Sequence, residues 1–199
     1  MKMLFIDLET TGTEPCRHGV VQIAGIIEID GEVAEEFEFK CRPFPEDVCE
    51  EEALRVTGTT RDEIAGYPEP RLAHEGLAGL FNKYIDRYNK ADKFHMVGHN
   101  PRFDYDFLTE FFKKNGNPYL YAYIDSRLID VIAATALFQS AGKIKLPNMK
   151  LETVAAYFGI DHKAHNAKED TRVTRQIYYI YVNLIKQIRM TEKSGGTHD

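Results

Sequence analysis

The residues of this chain with the clearest capacity for chemistry are carboxylates. Asp7 and Glu9 stand two apart in MLFIDLETTG, so on a strand both side chains point to the same side. Asp104 lies in GHNPRFDYDFL, in the first turn of a helix that Asn100 and Pro101 would open. An acid there also complements the helix dipole, a role that Asp106 fills equally well. His165 and Asp170 lie in HNAKED. On one continuous helix a spacing of five sets them about 140° apart. If the helix begins near Ala167 instead, His165 belongs to the preceding loop and can fold back beside Asp170. Taken singly, each group fits an ordinary role: a solvated strand end, a helix-start acid, a loop histidine. His162 is read as a loop residue of that ordinary kind.

Competing chemistries lack their residues. The three serines, Ser126, Ser140 and Ser194, lie in no GxSxG elbow, and neither GxxxxGK[ST] nor a strand-following GxGxxG is present. Cys16 near His18 has nothing beside it to orient a thiol nucleophile. Cys16, Cys41 and Cys49 are odd in number and form no CxxC pair, which argues against a disulfide scaffold or a cysteine zinc site and for a reducing cytoplasmic setting.

The elements that must hold the acids follow from periodicity. Residues 3–7 read as a short buried strand. Val21, Ile23, Ile27 and Ile29 recur at period two, and residues 33–41 alternate between Phe37, Phe39, Cys41 and Glu36, Glu38, Lys40. Asp30-Gly31 between these runs is a hairpin signal. Short helices are predicted over 50–56 and 60–65, then a longer one over 72–88. A strand over 94–97 leads into a helix carrying Phe103, Phe107, Leu108, Phe111 and Phe112. The pattern continues with a strand over 119–124, helices over 127–139 and 150–158, and a last helix over 167–188. Three antiparallel strands followed by strands alternating with helices make a mixed α/β sheet covered by helices. A single domain over 1–190 with a flexible tail over 191–199 accounts for all 199 residues.

No apolar run reaches the roughly 18 residues of a membrane span, and Asp7 and Glu9 break the N-terminal apolar stretch too early for a signal peptide. The formal charge is −6, but residues 1–70 carry −11 and residues 71–199 carry +5. Net acidity therefore does not exclude a local phosphate-binding surface.

In combination and in this order, FIDLETTG, GHNPRFDYDFL and HNAKED resemble the three motifs of the DEDDh (DnaQ-like) 3′→5′ exonuclease family. The resemblance runs from Leu4 to about Val173 and includes ALRVTGTTRDEIAG between the first two motifs. In form the motifs are closer to the proofreading subunit of bacterial DNA polymerase III than to oligoribonuclease. Tyrosine-type relatives would have Tyr where Asn166 stands, so His165 specifies the histidine subclass. Thr171 departs from the Ala common at that position.

The resemblance implies a ribonuclease H-like fold with a mixed five-stranded sheet flanked by helices. It implies that Asp7, Glu9, Asp104 and Asp170 bind two divalent cations, Mg²⁺ or Mn²⁺, and that His165 is the general base. Asp7 would bridge both ions, Glu9 and Asp170 would complete one site, and Asp104 would act mainly on the second. It also places Thr10 and Thr11 at the terminal sugar, Phe103 against the terminal base, Asn100 near the strand, and Val56 and Thr57 beside the terminal nucleotide. Lys143, Lys145, Lys150, Lys163 and Lys168 surround the third motif and could meet phosphates or simply face solvent. The implied reaction releases nucleoside 5′-monophosphates from nucleic-acid 3′ ends, single-stranded DNA in preference to RNA. The alternatives are an exoribonuclease trimming RNA ends and a non-catalytic polymerase-associated subunit on the same fold. A polymerase partner or a homodimer is compatible with the sequence.

Overall fold

A computed structural model of the chain describes residues 1–162 and 166–194, with side chains of the last helix as far as Gln187. Its strands are β1 (Lys2–Thr10), β2 (Val20–Ile29), β3 (Glu32–Lys40), β4 (His95–Gly98) and β5 (Ile129–Asp130). Its helices are α1 (Glu51–Thr57), α2 (Arg61–Ala65), α3 (Pro70–Tyr84), α4 (Pro101–Lys114), α5 (Val131–Ser140), α6 (Leu151–Tyr157) and α7 (Ala167–Ser194). The sheet order is β3-β2-β1-β4-β5. The β1–β2 and β2–β3 pairs are antiparallel, and β1–β4 and β4–β5 are parallel. The expected five-stranded mixed sheet is therefore present, three antiparallel strands first.

Alternation along β1 sorts the core into two layers. Leu4, Ile6 and Leu8 face α3 and α4, where Phe81, Phe107 and Phe112 pack. Met3 and Phe5 face the other way, toward Val154 of α6 and Val173 and Ile177 of α7. Asp7 and Glu9 continue that second row. The parity that buries Met3 and Phe5 under α7 thus delivers both carboxylates to the sheet face where α7 begins.

Several boundaries differ from the sequence reading. Strand β1 extends to Thr10, so Asp7 and Glu9 sit within it rather than at its end. Helix α3 stops at Tyr84, short of the expected 88. Residues 119–124 form no strand: Leu120–Ala122 is a 3₁₀ turn, and only Phe94 and Ile124 bridge. The fifth strand is instead Ile129–Asp130, and α5 starts after it because Asp130 Oδ1 caps the Ile132 N–H at 2.8 Å. Asn100 holds the N-cap place of α4 in the left-handed region (φ 68°) and makes no capping bond through its side chain. Helix α7 continues into the stretch expected to be tail, reaching Ser194.

Candidate active site

Asp7, Glu9 and Asp170 each bring one carboxylate oxygen within 4.8 Å of the others. The two strand acids come from adjacent same-face positions of β1, and Asp170 from the first turn of α7. That turn is pinned to the sheet by Thr171, whose hydroxyl donates within the helix to the Ala167 carbonyl at 2.7 Å and reaches the Ala24 carbonyl at 3.3 Å. Ala24 is the β2 residue paired with Asp7. The hydroxyl at this position therefore ties the helix bearing Asp170 to the strand register that sets Asp7.

Asp104 approaches from the α4 side. Strand β4 pairs only with Met3–Phe5 of β1, leaving the next stretch of that edge open. There the Leu8 N–H donates to Asp104 Oδ1 at 3.1 Å, and the residue is 3% exposed. Asp104 thus reaches the cluster from the opposite layer, behind the three converging acids.

The electrostatics are those of crowded anions. Burial first, then repulsion from Asp104, Asp170 and Glu9, holds the Asp7 carboxyl well above the usual carboxylate range. Burial and then Asp170 push Glu9 up to about 7. Burial raises Asp104 to about 8 despite the backbone N–H groups, including that of Leu8, that favour its charged form. Among the described residues, no lysine or arginine is paired with any of the four. A set of oxygen-only donors that converges yet lacks a counter-charge fits a divalent cation.

One side of the cluster opens into a cleft of about 270 Å³ lined by Glu9, Thr10, Val56, Thr57 and Phe103 among others. Its wall is the Thr-Thr-Gly turn after β1. Thr10 Oγ1 donates to the Gly12 carbonyl at 2.7 Å. Thr11 Oγ1 donates to the Val48 carbonyl at 2.7 Å and accepts from the Gly19 N–H at 2.8 Å. Its backbone N–H bonds Gly19 and its carbonyl accepts from Glu50. Thr11 is 0% exposed, and its side-chain hydroxyl is engaged in shaping the turn. Gly12 is required by proximity, since a Cβ there would stand 2.4 Å from the buried His18 ring. His18 Nδ1 accepts from the Glu14 N–H at 2.9 Å, and Nε2 lies 3.1 Å from Glu50 without hydrogen-bond alignment.

Phe103 packs against Phe107 at a tilt of 45°, centroids 4.7 Å apart, and lines the cleft. Asn100 lies outside this cleft. It lines a second one of about 670 Å³ on the far side of Asp170, with His99, Met149, Lys150 and His162. Lys143, Lys145, Lys150 and Lys168 are exposed. His165 and Lys163 lie outside the described residues.

His162 was missed by the sequence reading. Its side chain is 6% exposed, and Nε2 contacts Asp170 Oδ1. The only signal available in the sequence was its place just upstream of the third motif.

A ribonuclease H-like sheet whose central strand carries two members of a partly buried carboxylate cluster defines a nuclease-type fold with a candidate metal site. Residues 4–178 match the RNase_T exonuclease family, and the chain belongs to it. The PolC-type DNA polymerase III of Thermotoga petrophila is 28% identical over 191 residues, covering 95% of this chain and 12% of the polymerase. That of Thermotoga maritima is 27% identical over the same shares. The chain thus spans only 12% of the length of these relatives. Among solved structures, E. coli exonuclease I in complex with a dT13 oligonucleotide superposes with a TM-score of 0.75 at 22% identity, over 96% of this chain and 43% of that one. The zinc-bound form of the E. coli exonuclease I–single-stranded DNA complex gives 0.76 at 22% identity, over 96% and 42%.

Proposed function

We propose that the chain is a divalent-metal-dependent 3′→5′ exonuclease that releases nucleoside 5′-monophosphates from single-stranded DNA. The observation that carries this reading is the convergence of Asp7, Glu9 and Asp170, backed by Asp104, beside a cleft walled by Thr10 and Phe103. Oxygen-only donors select hard ions, so Mg²⁺ or Mn²⁺ is the expected cofactor. Asp7 would hold both of two ions, Glu9 and Asp170 would complete one site, and Asp104 would act on the second. When bound, such ions supply Lewis-acid stabilisation of the charge developing on the phosphodiester and its leaving 3′ oxygen.

The protein's own groups do the rest. His165, five residues before Asp170, takes the proton of the attacking water at a ring nitrogen, which a neutral imidazole can do near pH 7. Phe103 stacks the terminal base without regard to its identity. Thr10, Val56 and Thr57 enclose the terminal nucleotide, with Thr11 shaping the wall. Asn100 faces the strand from the second cleft, and Lys150 stands near enough to that cleft to meet a phosphate. A DNA substrate is supported by relatives named as DNA polymerases and by a fold shared with exonuclease I solved on oligodeoxynucleotides. The same relatives make a polymerase the first partner to test.

Matched 5′-labelled single-stranded DNA, duplex DNA and RNA, each with Mg²⁺ or EDTA, provide the test. The expected ladder shortens from the 3′ end, fastest on single-stranded DNA, and only with Mg²⁺. Undiminished activity in EDTA overturns the metal-dependent reading, and a preference for RNA overturns the substrate.

A further inference from the structure

We infer that His162 is a positioning residue that fixes the Asp170 carboxylate for its cation. The inference rests on the metal-site reading above. Nε2 of His162 contacts Asp170 Oδ1 only, so the second carboxylate oxygen stays without a protein hydrogen bond among the described residues. One oxygen is thereby anchored to the protein while the carboxylate still contributes to the cluster with Asp7 and Glu9. Carboxylates that bind metal are commonly held in this way by an outer hydrogen bond, which sets their orientation before the ion arrives.

The surroundings of His162 suit this role. The ring is 6% exposed. With the Nε2 proton directed at the carboxylate, Nδ1 is a bare acceptor, and among the described residues it is buried without a partner. Among the described residues, the contact with Asp170 is therefore the one hydrogen-bonding interaction of the ring.

The loop that delivers the ring is also tied down. Helix α6 ends at Tyr157, and Gly159, in the left-handed region at φ 68°, turns the chain back toward α7. Arg172 then donates to the Asp161 carbonyl at 2.8 Å. The same guanidinium is braced on Glu169 Oε2 at 3.0 and 3.1 Å. The residue preceding His162 is thus clamped to the helix that carries Asp170, two positions along from it. This links histidine and carboxylate as one unit, independent of substrate.

The test compares His162→Gln, whose amide nitrogen reproduces the Nε2 donor, with His162→Asn, whose amide is too short to do so. Mn²⁺ is titrated calorimetrically into each metal-free protein at one fixed pH, with the thermal midpoint of each reporting the fold. Gln is expected to keep near wild-type Mn²⁺ affinity, and Asn to lose roughly tenfold or more, the usual cost of removing such an outer partner. Three equal affinities overturn the inference. So do equal losses in both variants, or failure of both to fold, since His162 would then act only through its bulk. Absence of Mn²⁺ binding by the wild type itself overturns the metal-site reading, and that result is read from the wild-type arm alone.

Discussion

Asp7 bears the heaviest electrostatic load in the site, because burial and three neighbouring acids all oppose its charge. The folded-state values of Glu9, about 7, and Asp104, about 8, lie above the ordinary carboxylate value near 4. The folded protein therefore binds more protons than the unfolded chain between about pH 4 and pH 8. Their stabilising contribution is complete below about pH 4 and is lost as pH rises through the folded values. In EDTA the thermal midpoint should accordingly fall between pH 5 and pH 8, and Mn²⁺ should restore it most at pH 8. Asp7→Asn should abolish metal-dependent nucleotide release and raise the metal-free midpoint at pH 8. One pKa unit of relieved repulsion corresponds to roughly 3–5 °C for a chain of this length. Thermal scans with and without EDTA measure this directly, and a flat wild-type profile contradicts the crowded-anion account.

The Thr-Thr-Gly turn links strand β1 to the substrate cleft, and its failure should look different from failure of the carboxylates. Gly12→Ala drives a Cβ into the His18 ring, which is buried and hydrogen-bonded and has little room to yield. Overpacking of this kind costs about 1–3 kcal/mol. Gly12 lines the cleft and is not one of the clustered acids, so KM should rise severalfold while calorimetric Mn²⁺ affinity stays near that of the wild type. A parallel loss of metal affinity would show that the turn and the cluster are one rigid unit. The same contrast marks what the sequence could convey. Period-two alternation sets Asp7 and Glu9 on one side, and the hydrophobic spacing finds most of the helices. Asp104 and Asp170 are separated from them by long stretches, so only family resemblance joined all four. Residues 119–124 alternate aliphatic and aromatic side chains like a strand, yet only Ile124 bridges, to Phe94 just before β4, and Leu120–Ala122 folds into a 3₁₀ turn. The true fifth strand, Ile129–Asp130, is too short to display any period. His162 was illegible for another reason: burial of a loop side chain is decided by the elements packed around it.

The sheet order also arranges charge across the whole molecule. The acidic strand β3 forms one edge, with Glu32, Glu35, Glu36 and Glu38, whereas Asn100 and Lys150 line the cleft beside β4 and β5. A polyanion leaving the carboxylate cluster is therefore repelled from the first edge and has a basic side chain available toward the other. Lys150 is exposed and its nearest acid, Glu152, stands 3.6 Å away, so its charge is only loosely compensated. A chain of net charge −6 with so local a basic surface should grip a strand end and have little hold on the rest. Each phosphate neutralised on a single strand contributes about −0.7 to the slope of log affinity against log salt. At fixed Mg²⁺, log kcat/KM plotted against log monovalent salt should thus fall with a shallow slope, near −1.4 for about two phosphates. Lys150→Ala should flatten that slope by about 0.7, the loss of one phosphate contact, whereas Phe103→Ala should lower kcat/KM at every salt concentration and leave the slope unchanged. A wild-type slope steeper than about −3 would mean more than four phosphates are held, and the strand would then have to run across a surface far larger than the cleft beside β5.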